Sequence, residues 1–303
     1  MSEQKLLSIC IPTFNRAEFL RYNLKSITDQ FDAEPALKGI VEIVISDNAS
    51  ADGTKEMVAG FVGKYSNIIY HRNETNIGFD RNLNNAINLA GGKYCLSLGD
   101  DDALFPGALA VLVKKILATN APYYLVGHVG YSRDMQHAFK NEHDTGVSKD
   151  CLYESLQDYI KSLGGYVKVI GTFGGMSTHV FLREIWVSFS DLNKYIGTLQ
   201  IHTHVFLRAF KNAKFMVLQD LIVKTRGDNM RWEDIVGLET TQRRNMRAFK
   251  DFLWIKRLYD LPQSKIGAFV YFMGRGYWIA VKGLIKKVLV FIKLEKYFIN
   301  RNK

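Results

Sequence analysis

Three consecutive carboxylates, Asp100-Asp101-Asp102, follow the apolar run Tyr94-Cys95-Leu96-Ser97-Leu98 after a single glycine. Adjacent acids repel one another and resist burial, so a strand that ends in them calls for a cation or a donor-rich ligand. Hard divalent ions such as Mg²⁺ and Mn²⁺ favour oxygen ligands, and Mg²⁺ is commonly held by one or two carboxylates together with substrate phosphates. The triplet therefore suggests a metal–phosphate site. A second reading makes it an acidic cap for a helix starting near Phe105-Pro106, where carboxylates suit the positive end of the dipole.

Two upstream loops bear on that choice. Asp47-Asn48-Ala49-Ser50-Ala51-Asp52-Gly53-Thr54 leaves one apolar run and enters a helical pattern. Asp52 or Thr54 can cap that helix and Gly53 gives a permissive backbone. Capping leaves Asp47 unexplained; at a strand end its carboxylate can accept hydrogen bonds from a nucleobase amide or amine. The other loop is Pro12-Thr13-Phe14-Asn15-Arg16, again directly after an apolar run.

The elements that must position these loops alternate. Residues 6–11, 41–46, 67–71 and 94–98 read as strands, and residues 17–30, 55–65 and 81–89 as helices. Short apolar strands alternating with helices imply an α/β, Rossmann-like, mostly parallel sheet flanked by helices. In such sheets ligands bind outside the carboxyl ends of the strands, so the three polar loops should meet at one edge. Further on, residues 108–118, 152–163 and 199–211 read as helices and 123–129, 180–182 and 215–223 as strands. Residues 132–149 read as a polar loop, and glycines punctuate 164–175.

The 303 residues are 47% hydrophobic and 23% charged, the composition of a globular protein with a large core. Three cysteines, Cys10, Cys95 and Cys151, lack CxxC spacing and cannot all pair, which favours a reducing, cytoplasmic setting. The apolar stretch at 6–11 is too short for a signal h-region or a membrane span. The net charge of +10 is concentrated: residues 274–303 hold eight basic side chains against Glu295 alone, so +7 belongs to the tail. Nucleic acid is therefore not an expected partner. Val281, Leu284, Ile285, Val288 and Ile292 share one helical face, with Lys282, Lys286 and Lys293 on another. Such basic amphipathic helices lie on anionic membrane surfaces; the alternative packs the apolar face on the preceding domain. The expected organisation is a domain over 1–240, divided near 115, and a helical tail over 241–303.

Pro12-Thr13-Phe14-Asn15-Arg16, Ser46-Asp47-Asn48-Ala49-Ser50-Ala51-Asp52-Gly53-Thr54, Asn76-Ile77-Gly78 and Gly99-Asp100-Asp101-Asp102 stand in this order. Together they resemble the family 2 glycosyltransferases of GT-A fold, specifically over 6–115 and thinly beyond. Cys10-Ile11-Pro12-Thr13, Ile45 to Ser50 and Asp80-Arg81-Asn82 resemble the abequosyltransferase-like group of bacterial O-antigen and capsule transferases. The resemblance implies a nucleotide-sugar donor, Mn²⁺ or Mg²⁺, and a glycan acceptor, lipid-linked at the inner face of the membrane. Pro12, Thr13, Asn15 and Arg16 would line the nucleotide pocket, with Asn76 and Gly78 beside it, and Asp47 would contact the base. Arg81 would approach the base or the pyrophosphate; its plainer alternative is a surface salt bridge. Asp100 and Asp102 would form the DxD pair, Asp100 facing the ribose and Asp102 on the metal, with Asp101 in the same donor loop but turned away.

An inverting transferase needs a base for the acceptor hydroxyl, and the family supplies an acid about a hundred residues past the DxD. Here that interval holds Gln200-Ile201-His202-Thr203-His204, which departs from the pattern. Imidazole titrates near neutrality, so His204, or His202, is a candidate base; His204 is also a candidate third metal ligand. A capping or core histidine is the competing reading. The rival base is Glu233-Asp234, which an exposed helix start explains as well. Arg226, after the last strand, is placed to contact donor phosphates. The remaining histidines, 71, 128, 137, 143 and 179, lack ligand spacing and read as structural. Two other functions compete with transfer. A nucleotidyltransferase needs a glycine-rich phosphate loop after its first strand, which 12–16 is not, and a catalytically silent binding protein has no use for the acid triplet.

Overall fold

The computed structural model describes residues 4–139, 147–163, 166–227 and 258–259. The chain divides into two compact units, Met1–Gly164 with Lys168–Arg231, and Gly165–Val167 with Trp232–Lys303. The first unit holds all three polar loops. Glu233, Asp234, the expected boundary at 240 and the basic tail lie outside the described residues.

The first half is built as the alternation predicts. Strand β1 is Leu7–Thr13, followed by helix α1 (Ala17–Ala33) and a single helical turn α2 (Leu37–Ile40). Strand β2 (Val41–Asp47) leads to α3 (Thr54–Lys64), β3 (Ile68–Arg72) to α4 (Phe79–Leu89), and β4 (Tyr94–Ser97) to the acid triplet. β1, β2 and β4 are buried along their whole length, as expected of strands covered on both faces. α1 buries Leu20, Leu24, Ile27 and Phe31, a three-to-four spacing that forms one apolar stripe against the sheet. Carboxyl ends of β1, β2 and β4 fall together because the strands are parallel, with Leu7 beside both Val41 and Tyr94.

After the triplet come β5 (Ala103–Leu104), α5 (Ala108–Thr119), β6 (Tyr123–Tyr131), β7 (Cys151–Tyr153), α6 (Leu156–Ser162) and α7 (Tyr166–Phe173). β8 (His179–Leu182), α8 (Arg183–Val187), a 3₁₀ turn (Leu192–Tyr195), α9 (Ile201–Ala209) and β9 (Phe215–Arg226) follow. The strand order is β3-β2-β1-β4-β8-β6-β9-β5, with β7 on β9. β8 runs antiparallel to β4 and β6, β6 and β9 are parallel, and β5 and β7 are antiparallel to β9. The parallel character thus belongs to the first four strands, and the rest of the sheet is mixed.

Two details differ from the expectations of the sequence. The helix expected over 152–163 is a short strand and then a helix, because Ser155 caps it by accepting the Asp158 N–H at 3.2 Å. A helix, α7, occupies the glycine-punctuated stretch. The helix expected over 108–118 does begin at Ala108, behind Gly107 at φ 76°, so the alternative start near Phe105-Pro106 with the acids as its cap does not hold. The acids are instead followed at once by β5, which pairs Ala103 with Lys224 and Leu104 with Val223. β6 and β9 approach closely where their register shifts: a Cβ on Gly127 would lie 2.5 Å from the Asp220 carbonyl oxygen.

Candidate functional site

The three polar loops meet at the carboxyl edge of β1, β2 and β4 and are tied to one another by backbone. Asn48 N–H donates to the Thr13 carbonyl (2.9 Å). Asn15 N–H donates to Ser50 Oγ (2.8 Å), and Asn15 Oδ1 accepts the Ala51 N–H (2.8 Å). Asn15 and Ala49 are left-handed, at φ 53° and 65°. Asparagine tolerates that region and alanine does not, so at Ala49 the surrounding bonds over-determine a strained loop. Asp52, expected to cap α3, reaches both helices: Oδ2 accepts the Ala17 N–H at the start of α1 (2.9 Å) and Oδ1 the Thr54 hydroxyl (2.6 Å). Pro12 lies within β1, beside Ser46.

Asp47 is fully enclosed. Its Oδ1 accepts the Ser50 N–H (2.9 Å), its Oδ2 accepts the Tyr70 hydroxyl (2.6 Å), and Arg72 Nε lies 3.8 Å away. Burial and this carboxylate push the Tyr70 phenol well above its ordinary pKa. Beside it a buried amide network carries the chain to α4. Asn82 accepts from Ser46 and Asn73 (2.8 and 2.9 Å). Asn48 and Asn76 are bonded at 2.6 Å, and Asn76 Oδ1 also accepts the Gly78 N–H (2.9 Å). Gly78 stands at φ 81° directly before α4. Arg81, on the first turn of α4, is exposed, and its side chain makes no ion pair among the described residues.

The acid loop is held from several sides. Thr13 Oγ1 donates to Asp100 Oδ2 (2.8 Å), while Arg16 Nη1 donates to Asp100 Oδ1 (2.8 Å) and Asp101 Oδ2 (2.9 Å). Asp101 therefore does not turn away; it shares a guanidinium with Asp100. Asn23, buried in α1, donates to the carbonyls of Gly99 and Asp102 (2.9 Å each). Asp102 accepts the Arg226 backbone N–H at Oδ1 (2.8 Å) and the Ser177 hydroxyl at Oδ2. A Cβ on Gly99 would stand 2.9 Å from Asp101 Oδ1 and 3.0 Å from Asp102 Oδ2, so a larger residue there would push on both carboxylates. The Arg226 guanidinium donates to the Asp101 carbonyl (2.8 Å) and lies over the rings of Phe19 and Tyr22, 5.0 and 5.1 Å from their centroids. Burial and the neighbouring Asp101 push the Asp100 carboxyl up to about 6 and the Asp102 carboxyl up to about 7. At Asp100 the Arg16 guanidinium offsets part of this rise.

A second junction joins α4 to α9. The buried Asp80 carboxylate accepts the backbone N–H groups of Gly197 (2.7 Å), Leu199 (2.8 Å) and Ile201 (3.2 Å). It substitutes for a local cap and holds Leu199 at φ 59°. Both candidate histidines follow and both are buried. His202 Nε2 bonds the Gly174 carbonyl (3.0 Å), its ring meets Phe79 edge-on, and burial lowers its pKa to about 4. His204 stacks on Tyr195, centroids 4.3 Å apart, and its Nδ1 lies 2.8 Å from Arg208 Nη1. A guanidinium only donates, so Nδ1 is the acceptor and Nε2 carries the proton of the neutral ring. That geometry opposes His204 as a base, since an arginine occupies its lone pair. No three His, Cys, Asp or Glu side chains among the described residues group to hold a metal.

Sequence reasoning does not find Tyr70, Asn23 or Ser177. Each acts across the fold, and none stands in a motif. Asp80 and Asn82 are visible only as part of the family resemblance. The donor set at the acid loop, hard oxygens of adjacent buried carboxylates, does fit a divalent cation that substrate phosphates help to hold.

The mixed sheet with polar loops at its carboxyl edge is the GT-A architecture, and the family model that describes Glycosyl transferase family 2 matches residues 8–183. The chain belongs to that family and is a glycosyltransferase. It is 34% identical over 236 residues to the abequosyltransferase RfbV of Salmonella typhimurium, covering 75% of this chain and 68% of the relative. Over 110 residues it is 36% identical to a Campylobacter jejuni GalNAc(5)-diNAcBac-PP-undecaprenol beta-1,3-glucosyltransferase, 36% of this chain and 34% of that protein. Two solved structures share the fold. S. aureus TarS 1–349 with UDP-GlcNAc has a TM-score of 0.63 at 16% identity, over 90% of this chain and 72% of that one. The mannosyltransferase PcManGT of Pyrobaculum calidifontis, solved with GDP-Man and Mn²⁺, has a TM-score of 0.52 at 15% identity, over 90% and 74%.

Proposed function

We propose that this enzyme moves a sugar from a nucleotide-sugar donor to a hydroxyl of a bacterial surface glycan of the O-antigen or capsule type, using Mn²⁺ or Mg²⁺. The observation that carries the donor reading is the acid loop. Two buried carboxyls, Asp100 and Asp102, are fixed in place yet raised toward neutrality, beside loops whose exposed ends face outward from the sheet edge. Likeness to an abequosyltransferase over most of the chain supports the surface-glycan acceptor. A lipid-linked acceptor agrees with the relative that acts on GalNAc(5)-diNAcBac-PP-undecaprenol.

In this reading Asp102, with Asp100 beside it, holds the cation, which when bound offsets charge on the departing nucleoside diphosphate. Loop 12–16 and Asn76 to Gly78 form the nucleotide side. Asp47, enclosed by Ser50 and Tyr70, keeps that loop in shape for the base. Arg81, exposed at the start of α4, reaches the diphosphate or base, and Arg226 is held against the acid loop on the opposite side. Of the candidate bases, His202 is buried and weak and the His204 Nδ1 faces Arg208, which leaves Glu233 and Asp234 as the residues to test for that role.

Thermal melting with UDP, GDP, CDP and dTDP, each with and without Mn²⁺, tests the donor site. One diphosphate should raise the melting temperature with Mn²⁺, and Asp102→Ala should abolish the gain. No shift with any of the four sinks the proposal.

A further inference from the structure

The two carboxyls of the acid loop are anchored by different parts of the chain. Asp100 is held by Thr13 and Arg16, from the loop after β1. Asp102 is held by Ser177 and the backbone of Arg226, both far later in sequence. Ser177 does more than donate to Asp102 Oδ2. Its Oγ also accepts the Gly99 N–H at 2.9 Å, so one hydroxyl fixes both the carboxylate and the backbone turn that carries it. Ser177 is itself 5% exposed.

Ser177 belongs to a short strap between α7 and β8 that is clamped at both ends. On the acid-loop side, Ser97 Oγ donates to the Met176 carbonyl (2.6 Å). On the α9 side, Thr203 Oγ1 donates to the Phe173 carbonyl (2.7 Å) and His202 Nε2 bonds the Gly174 carbonyl. The strap is therefore held by hydrogen bonds to two neighbouring elements, at Phe173 and Gly174 and again at Met176. A charge-assisted bond from a fixed donor selects one rotamer of the acid, and groups that orient a metal-binding carboxylate tune its affinity without touching the ion.

We propose that Ser177 is a positioning residue that aims Asp102 at the cation shared with the donor diphosphate; this rests on the donor-site reading above. It sets the affinity for Mn²⁺ and leaves the contacts of the nucleotide itself unchanged. The prediction is a split between two affinities, which a merely structural serine does not give.

The test is isothermal titration of Mn²⁺ into full-length protein saturated with the nucleoside diphosphate that stabilises the wild type, alongside titration of that nucleotide in EDTA. Ser177→Ala should weaken Mn²⁺ binding about 10- to 100-fold while the affinity in EDTA stays at the wild-type value. Ser177→Thr, which keeps the hydroxyl, should restore most of the Mn²⁺ affinity. A wild-type Mn²⁺ affinity in Ser177→Ala overturns the proposal, and so does an equal loss with and without metal. If the wild type shows no Mn²⁺-dependent binding with any diphosphate, the donor-site reading itself fails and takes this proposal with it.

Discussion

Asp100 and Asp102 are raised to about 6 and about 7, chiefly by burial and then by Asp101, against roughly 3.9 for an exposed aspartate. The folded protein thus keeps protons that the unfolded chain has released. Their stabilising contribution is full below about pH 4 and is lost as pH rises through about 6 to 7. His179 and His202, lowered to about 3 and about 4 by burial, work the other way below about pH 6.5. The acid pair is therefore best read as a difference between proteins. Asp102→Asn should be more stable than wild type to urea near pH 8, and the gap should narrow steadily as pH falls toward about 4. A gap that widens at low pH contradicts the charge account. The base is also a single-residue question. Glu233→Gln or Asp234→Asn should lower kcat by about 10²- to 10⁴-fold with little change in donor binding. His204→Asn should cost far less in kcat, and the reverse ranking returns the role to His204.

At the scale of elements, the junction of α4 with α9 has the clearest consequence. Asp80 satisfies three backbone N–H groups of another segment, and no side chain within α9 caps it. Asp80→Ala strands those donors in a buried place, where each unsatisfied group costs about 1–3 kcal/mol. The variant should lose at least about 3 kcal/mol in urea unfolding; a loss under about 1 kcal/mol means water replaces the carboxylate. The sequence shows β1 to β4 and their helices because apolar runs and three-to-four spacing are local signals. β5 is invisible in it: two residues form a strand only because β9 runs beside them. β7 and α6 merge into one helical pattern for a related reason, since only the Ser155 cap separates them. The acid triplet looks equally like a helix cap until β5 separates it from α5.

At the scale of the whole molecule, the tail carries +7 of the net +10, and no helix among the described residues is long and apolar enough to cross a membrane. We propose that the basic tail attaches the enzyme peripherally to an anionic membrane surface, a reading that its charge supports. Each basic residue near an anionic surface is worth about 1 kcal/mol. The full chain should sediment with phosphatidylglycerol-rich vesicles and not with phosphatidylcholine ones, and about 0.5 M salt should release it. Equal binding to both vesicle types removes the electrostatic argument.

The sequence by itself determined the class of fold, the loops that converge and the acids among them, because strand periodicity and parallel order bring loop positions to one edge whatever the details. Only the tertiary structure decided how those acids are held. Asp47 is enclosed by Tyr70, Asp101 shares Arg16 with Asp100, and Asp102 is pinned by a serine and a backbone amide from residues 75 and 124 positions later. It also set the His204 imidazole against Arg208 one helical turn away. Such facts depend on pairings between distant segments, and a local pattern does not carry them.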